Sequence, residues 1–338
     1  MNFNPSISAE ILSKHQKILI ATHTSPDGDA LGSLAAFAHI CLQLDKDVRL
    51  LCQSPLPGYL NWLELPGEVH HSLSGLGAWT PDLLVCLDCG VPKRAGNDLD
   101  HFFNGKRLPG WEGIESLNID HHMDNPGFAT VNWVEPGAGA TGELVGLLAE
   151  YMGLALAGKL GEAIYLGLTS DTGNFCYSNT SAGILRLAAR IVENGLKVEV
   201  FTEKNGHCWS FGRMQLWGEL IRNIRLFAGG QIVSSIIANS LLKKYGCAAS
   251  DLEGFVSFIR QLKDVKVSLL VREKNSLGSK ASLRSMGGEN SINVQRVAAH
   301  FGGGGHRSAA GIEMSVSPEK AEKSILEILV PIVESAGR

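Results

Sequence analysis

Short apolar runs alternate with helical patterns through the first half of the chain. Residues 18–23 (ILIATH), 48–52 (VRLLC), 83–88 (LLVCLD) and 116–120 (SLNID) read as strands, because brief runs of branched apolar side chains bounded by turn residues suit buried strands. Helical periodicity follows over residues 141–152, 159–168 and 181–194, with a longer helical segment near 211–225. Strands alternating with helices predict an α/β domain with a mainly parallel sheet. From about Gly229 a second set begins: 231–238, 265–273, 280–286 and 309–316 as strands, with helical stretches at 252–262, 292–301 and 318–333. The pattern therefore predicts two domains: an α/β domain over 1–212, a helical linker over 213–227, and a smaller α/β domain over 228–338. At roughly 100–200 residues per domain, the length agrees.

No apolar stretch reaches the ~20 residues of a membrane span, and the N-terminal MNFNPSISAEILSKHQ lacks the basic and then apolar pattern of a signal peptide. The expected location is cytoplasmic. Seven cysteines, odd in number and scattered without a framework spacing, read as reduced thiols. Cys86 and Cys89 have the C-x-x-C spacing of a redox or half-zinc motif, but they sit in an apolar strand-like run with no second pair to complete a tetrahedral site.

Hydrophobic residues make up 44% of the chain and charged residues 19%, which excludes disordered and fibrous classes. The net charge of −4 argues against a protein that coats long nucleic acid. That average hides an asymmetry: residues 1–212 carry 13 basic and 23 acidic side chains, and residues 213–338 carry 17 and 11. An acidic lobe suits cations and a basic one an anionic ligand.

Four segments of the acidic half concentrate the chemistry. In ATHTSPDGDA, His23, Asp27 and Asp29 leave a strand end through a Pro-Gly turn and enter a helix. Two carboxylates at i and i+2 around Gly28 can diverge towards two points, although Asp29 as a helix N-cap explains part of the pattern. In VCLDCG, Asp88 ends an apolar strand, where its two oxygens can bridge two ions. In NIDHHMD, neighbouring His121 and His122 point to opposite faces of an extended segment, so one can ligate while the other faces substrate, and Asp120 can orient an imidazole. In LTSDTGNF, Asp171 ends a helical run, where an unpaired buried carboxylate is costly. Together these supply Asp and His at the edges of apolar elements, a set suited to Mn²⁺ or Mg²⁺ more than to zinc. In the basic half, Gly302 to Gly305 can present successive backbone N–H groups to a phosphate with His306 adjacent, and Arg284 can fork onto phosphate oxygens.

His23-x-x-x-Asp27-x-Asp29, Asp88, Asp120-His121-His122 and Asp171 resemble, in order and separation, the four motifs of the DHH phosphoesterase superfamily. SLRSMGG (282–288) and FGGGGHRSAAG (301–311) resemble its DHH-associated substrate-binding domain. The compact length is most similar to the nanoRNase and pAp-phosphatase branch. The resemblance implies that His23, Asp27 and Asp88 hold one Mn²⁺, and that Asp29, Asp88, His121 and Asp171 hold a second, with Asp88 bridging. Mg²⁺ or another divalent ion is the alternative. Two cations would share a hydroxide that attacks phosphorus, His122 would face the scissile phosphate or leaving oxygen, and Asp120 would support it. Arg284, Gly303, Gly304, Gly305 and His306 would bind substrate.

The expected activity is Mn²⁺-dependent hydrolysis of short single-stranded RNA to mononucleotides and removal of the 3′-phosphate of pAp. The alternatives are a cyclic-dinucleotide or linear pApA-type phosphodiesterase and a non-catalytic nucleotide-binding regulator. Long duplex nucleic acid and membranes are not expected partners, and a homodimer is left open. Cys176 departs from the family pattern, in which a basic or larger residue is expected.

Overall fold

The computed structural model describes residues 4–106, 110–206, 209–275, 278–286 and 291–335. The chain divides into two compact units, Met1–His207 and Cys208–Arg338, and among the described residues no helix is long and apolar enough to cross a membrane.

The first unit is built on a six-stranded, fully parallel sheet. Its strands are β1 (Lys17–Thr22), β2 (Asp47–Leu51), β3 (Val69–His70), β4 (Leu83–Leu87), β5 (Glu115–Asp120) and β6 (Val131–Val134), in the order β3-β2-β1-β4-β5-β6. Both faces are covered, as a parallel sheet requires. Ile18 and Ile20 of β1 pack into one cluster with Leu34, Phe37 and Leu148, whereas Leu19 and Ala21 pack into another with Leu99, Phe102 and Trp111. The helices are α1 (Ser6–Lys14), α2 (Gly28–Gln43), α3 (Asn97–Phe103), α4 (Thr141–Tyr151), α5 (Gly158–Asp171), α6 (Ala182–Glu193) and α7 (Val198–Gly206). Strand order reverses between the neighbours β1 and β4, and ligands of open α/β sheets collect at the carboxyl ends of strands at that switch point. His23 follows β1, Asp88 follows β4, and Asp120 ends β5 beside it.

The second unit has its own six-stranded sheet, in the order β11-β12-β10-β9-β8-β7. It comprises α8 (Phe211–Arg222), β7 (Arg225–Phe227), β8 (Ile232–Ile237), α9 (Asn239–Lys244), α10 (Phe255–Ile259), β9 (Val267–Asn275), β10 (Gly278–Ser285), α11 (Val294–His300), β11 (Gly304–His306), β12 (Ala309–Met314) and α12 (Pro318–Ser335). Only β8 and β9 pair in parallel. One face packs on α11 and α12 through Leu269, Leu283, Ile312, Val297, Ile325 and Leu329. The segment expected as a linker, 213–227, is part of this unit instead. Leu216, Trp217 and Leu220 of α8 form one apolar stripe buried against Val233 and Phe255, and β7 pairs antiparallel with β8. The edge strands of both sheets, β3 and β6 in the first and β7 and β11 in the second, escape the sequence reading because runs of 2 to 4 residues carry too little alternation to register.

Candidate metal and phosphate site

The turn from β1 into α2 carries three of the expected residues. Asp27 is the N-cap of α2, its Oδ1 accepting from the backbone N–H of Asp29 and Ala30 at 3.1 Å each. The cap expected at Asp29 is therefore at Asp27. Asp29, fully buried, is held by another element: Oδ2 accepts from Thr141 N at 2.7 Å, and Oδ1 accepts from Gly142 N at 2.8 Å and Ser33 Oγ at 3.1 Å. A carboxylate at the N-terminus of α4 is favoured by the unpaired amides and the dipole there. The approach is close enough to require glycine at 167, where a Cβ would lie 2.7 Å from Asp29 Oδ1.

Asp88 leaves β4 with φ +53, a left-handed conformation rare outside glycine, and such strain collects at functional sites. Its Oδ1 accepts from Thr141 Oγ1 at 3.1 Å. Around it, His23 Nε2 stands 3.5 Å from Asp88 Oδ2 and 4.0 Å from Asp27 Oδ1. His121 Nε2 stands 3.3 Å from Asp171 Oδ2, 3.6 Å from Asp88 Oδ1 and 3.8 Å from Asp29 Oδ2. Asp88 thus lies between two donor groups, one with His23 and Asp27 and one with Asp29, His121 and Asp171.

The protonation pattern of the imidazoles fits cation ligation. His23 Nδ1 bonds the Thr24 carbonyl at 3.0 Å, and His121 Nδ1 bonds the Ala138 carbonyl at 3.2 Å. A carbonyl can only accept, so Nδ1 carries a proton and Nε2 of each ring faces the carboxylates as the atom left to ligate. His23 Nε2 is buried without any hydrogen-bond partner. Ligand atoms within each of the two groups lie within 4.8 Å of one another. A divalent ion with oxygen and nitrogen bonds of about 2.0–2.2 Å satisfies that geometry, and the residues present fit it.

Charge crowding shows in the protonation of the cluster. Burial, with Asp88 and Asp171 nearby, pushes the Asp29 carboxyl well up. Burial opposes ionisation of Asp88, yet the close-set His23 imidazole and the charges of His122 and His121 hold it well below the usual carboxylate range. For His121, burial favours the neutral form, but the hydrogen bond and charge of Asp171, with Asp88 and Asp29 behind, raise it well above its ordinary value.

His122 stands beside this group, its Nδ1 3.7 Å from Asp88 Oδ1 and its ring centroid 5.1 Å from that of His121. Its Nδ1 donates to Asp120 Oδ1 at 2.7 Å, and Asp120 Oδ2 accepts from Asn125 Nδ2 at 2.6 Å. Asn125 Nδ2 also reaches Asn118 Oδ1 at 2.6 Å. On the other side Arg94 Nη1 donates to His122 Nε2 at 2.7 Å. The imidazole is held between a buried carboxylate and a guanidinium.

In the second unit, register brings the two remaining polar candidates together. Arg284 of β10 and His306 of β11 both pair with Ala309 of β12. Laterally paired residues share a face, so Arg284 and His306 stand on one side of the sheet, about 10 Å apart across the small Ala309. This is the face opposite the α11–α12 core. The glycine run does something other than expected. Gly302 N and Gly303 N donate to the carbonyls of Ala299 and Ala298 at 3.0 and 2.9 Å, so they close the end of α11 and are not free for a phosphate. Gly305, at φ +132, lets β11 pair tightly with β12, since a Cβ there would lie 2.4 Å from the Ala309 carbonyl oxygen. Gly287 and Gly288 lie outside the described residues.

Comparison with known proteins agrees with both units. The DHH family N-terminal domain model matches residues 17–168, and the DHHA1 domain model matches residues 229–334. The chain is built from a DHH domain and a DHHA1 domain. It is 29% identical over 323 residues to a bifunctional oligoribonuclease and PAP phosphatase NrnA of Thermus thermophilus, covering 95% of this chain and 91% of that one. A Bacillus subtilis protein of the same name is 22% identical over 321 residues, covering 94% and 95%. In three dimensions the chain superposes on an exopolyphosphatase-related protein from Bacteroides fragilis with a TM-score of 0.85 at 26% identity, covering 98% and 97% of the two chains.

In this DHH domain the cysteine pair plays no chemical part that the structure supports. Cys86 and Cys89 are buried free thiols, and burial pushes Cys86 well up and Cys89 to about 12, so neither supplies a thiolate near neutral pH. Cys176 is exposed, its Sγ directed to the Asn174 carbonyl at 3.5 Å. Sequence reasoning missed Arg94, Thr141, Asn118 and Asn125. The signal for Arg94 was its place in the turn directly after the strand that carries Asp88.

Proposed function

We propose that the protein is a divalent-metal-dependent phosphoesterase that hydrolyses short oligoribonucleotides to mononucleotides and removes the 3′-phosphate of pAp. The observation that carries this reading is Asp88, set between two imidazole–carboxylate groups with His122 beside them. The likeness to the NrnA proteins along nearly the whole chain supports the choice of substrate. In this reading His23, Asp27 and Asp88 hold one ion, Asp29, Asp88, His121 and Asp171 hold a second, and Mn²⁺ is the metal of choice for that donor set. When bound, the ions supply a water activated near neutral pH and neutralise charge on the phosphoryl oxygens.

The protein's own residues do the rest. Asp120 fixes the Nδ1 proton of His122, so Nε2, once it has taken up a proton from water, is the atom that passes it to the departing ester oxygen. Arg284 and His306, sharing one sheet face in the basic unit, take the anionic end of the nucleotide, with Gly303, Gly304 and Gly305 keeping β11 close enough to place His306. Short nucleotides, not long duplexes, are the substrates. Free thiols at the described cysteines suit the cytoplasmic setting we assign.

The test is chromatographic. Purified protein with Mn²⁺ is incubated separately with pApA, a five-nucleotide RNA, pAp and a cyclic dinucleotide. AMP from pApA and pAp and mononucleotides from the RNA are expected. Cleavage of the cyclic compound alone would move the protein to nucleotide signalling, and inactivity on all four would make it a binder.

A further inference from the structure

We propose that Arg94 binds the phosphoryl group that the site cleaves. The inference rests on the phosphoesterase reading and adds a substrate-contacting residue to it.

Arg94 lies on the short turn Pro92–Ala95 that follows the Asp88 strand. Its backbone is fixed on both sides: the carbonyl accepts from Thr24 N at 2.7 Å, next to His23, and the amide donates to Val91 O at 3.0 Å. The side chain is exposed and reaches inwards to His122 Nε2 at 2.7 Å. Its positive charge is felt at His23 and at Cys89. The guanidinium therefore stands at the edge of the carboxylate cluster.

Its choice of partner is unusual. Five aspartates surround this centre, yet among the described residues Arg94 forms an ion pair with none of them. Each carboxylate is engaged elsewhere: Asp27 with the start of α2, Asp29 with the start of α4, Asp88 with Thr141, Asp120 with His122 and Asn125, and Asp171 with His121. The one side-chain hydrogen bond of Arg94 goes to the His122 imidazole, and a guanidinium has five N–H donors in a planar fork. Most of that fork is unspent.

A phosphoryl oxygen is a stronger acceptor for a guanidinium than an imidazole is, and it can be held by two parallel N–H···O bonds. A phosphodiester entering beside Asp88 would draw Arg94 off His122. The same movement uncovers Nε2 at the atom where the leaving oxygen needs it. The ion balance points the same way. Two divalent ions do not fully neutralise five carboxylates, so an anionic substrate needs a further cation at the point of reaction, and Arg94 is placed to supply it.

The experiment compares wild type with Arg94→Ala and Arg94→Lys, all loaded with Mn²⁺. AMP binding is measured by calorimetry and pApA cleavage at several salt concentrations. Arg94→Ala is expected to weaken AMP at least tenfold and to lower kcat/KM on pApA by about 10²–10³-fold, the usual effect of removing one transition-state donor. The salt dependence of kcat/KM should become shallower, because one charged contact with phosphate is lost. Arg94→Lys keeps the charge but not the fork, so it should retain the slope and recover only part of the rate. Unchanged AMP affinity and salt slope in Arg94→Ala would overturn the proposal, whatever happens to kcat, because Arg94 would then act only by positioning His122. AMP binding that depends on Arg94 in a protein cleaving none of the nucleotides would sustain the inference and sink the substrate reading.

Discussion

Asp120 is the residue on which the proposed proton transfer depends, although it holds no ion in the proposed assignment. Burial alone would make its carboxyl harder to ionise, yet the hydrogen bond and charge of His122 keep it below the usual range. It stays an anion and fixes Nδ1 as the protonated nitrogen of His122. Asp120→Asn keeps the shape but removes the charge, and it sets an amide against Asn125, which already donates to that oxygen. We expect kcat on pApA to fall by about 10²–10⁴-fold, as when an imidazole loses its orienting carboxylate, with bound Mn²⁺ and KM little changed. Loss of the metal instead would show that Asp120 is a ligand. At this scale much of the site was legible. Asp and His at the ends of apolar strands stand out, because such groups are costly there without a purpose. Hydrogen-bond destinations do not stand out. Nothing in the local sequence says that Thr141 reaches Asp88 or that Arg94 crosses to His122, because each partner lies on another element.

Among the elements, the site depends on how closely α2, α4 and α5 approach. α5 passes Asp29 at Gly167, where a Cβ would lie 2.7 Å from the carboxylate and 3.2 Å from Gly142 Cα, a backbone atom that cannot swing aside. Gly167→Ala must therefore push α5 away from α2 and α4. The expected cost is about 1–3 kcal/mol, the range for overpacking a dense core, together with weaker binding of the ion that Asp29 helps to hold. Gly218→Ala is the matched control. Gly218 lies in α8, and a Cβ there meets nothing within 4 Å, so alanine should be neutral or stabilising by up to about 1 kcal/mol. Thermal midpoints and Mn²⁺ titrations of the two variants check the pair, and equal behaviour would refute the tight-passage argument. Periodicity shows α2, α4 and α5 as helices but does not show which glycine lies at a crossing. It likewise reads Gly302–Gly305 as a phosphate nest, whereas Gly302 and Gly303 end α11 and Gly305 allows close strand pairing. The composition is the same in both readings, and only the partners of the backbone amides tell them apart.

At the scale of the whole molecule, the acidic and basic halves seen in the sequence coincide with the two units, since residues 208–212 carry no charge. The acidic unit carries an electrostatic debt that only a cation relieves, and this gives stability a definite pH dependence. Without metal, His121 is raised well above its ordinary 6.5 by Asp171, Asp88 and Asp29 against the effect of burial, and Asp29 is raised well above 3.8 by burial and its neighbours. Both groups bind protons more tightly in the folded chain than in the unfolded one. Stability from His121 is thus present in full below pH 6.5 and is lost as pH rises through its folded value, and Asp29 acts in the same direction. Bound metal reverses the trend, because ligation needs both groups deprotonated and releases their protons. In EDTA the thermal midpoint should therefore fall as pH is raised from about 6.5 to 8.5, while the increase produced by Mn²⁺ should grow over the same interval. Calorimetric titration of Mn²⁺ near neutral pH, in two buffers of different ionisation enthalpy, should show net proton release. A midpoint that rises with pH in EDTA, or metal binding without proton release, would mean that the imidazole and carboxylates around Asp88 are not the groups that receive the ion.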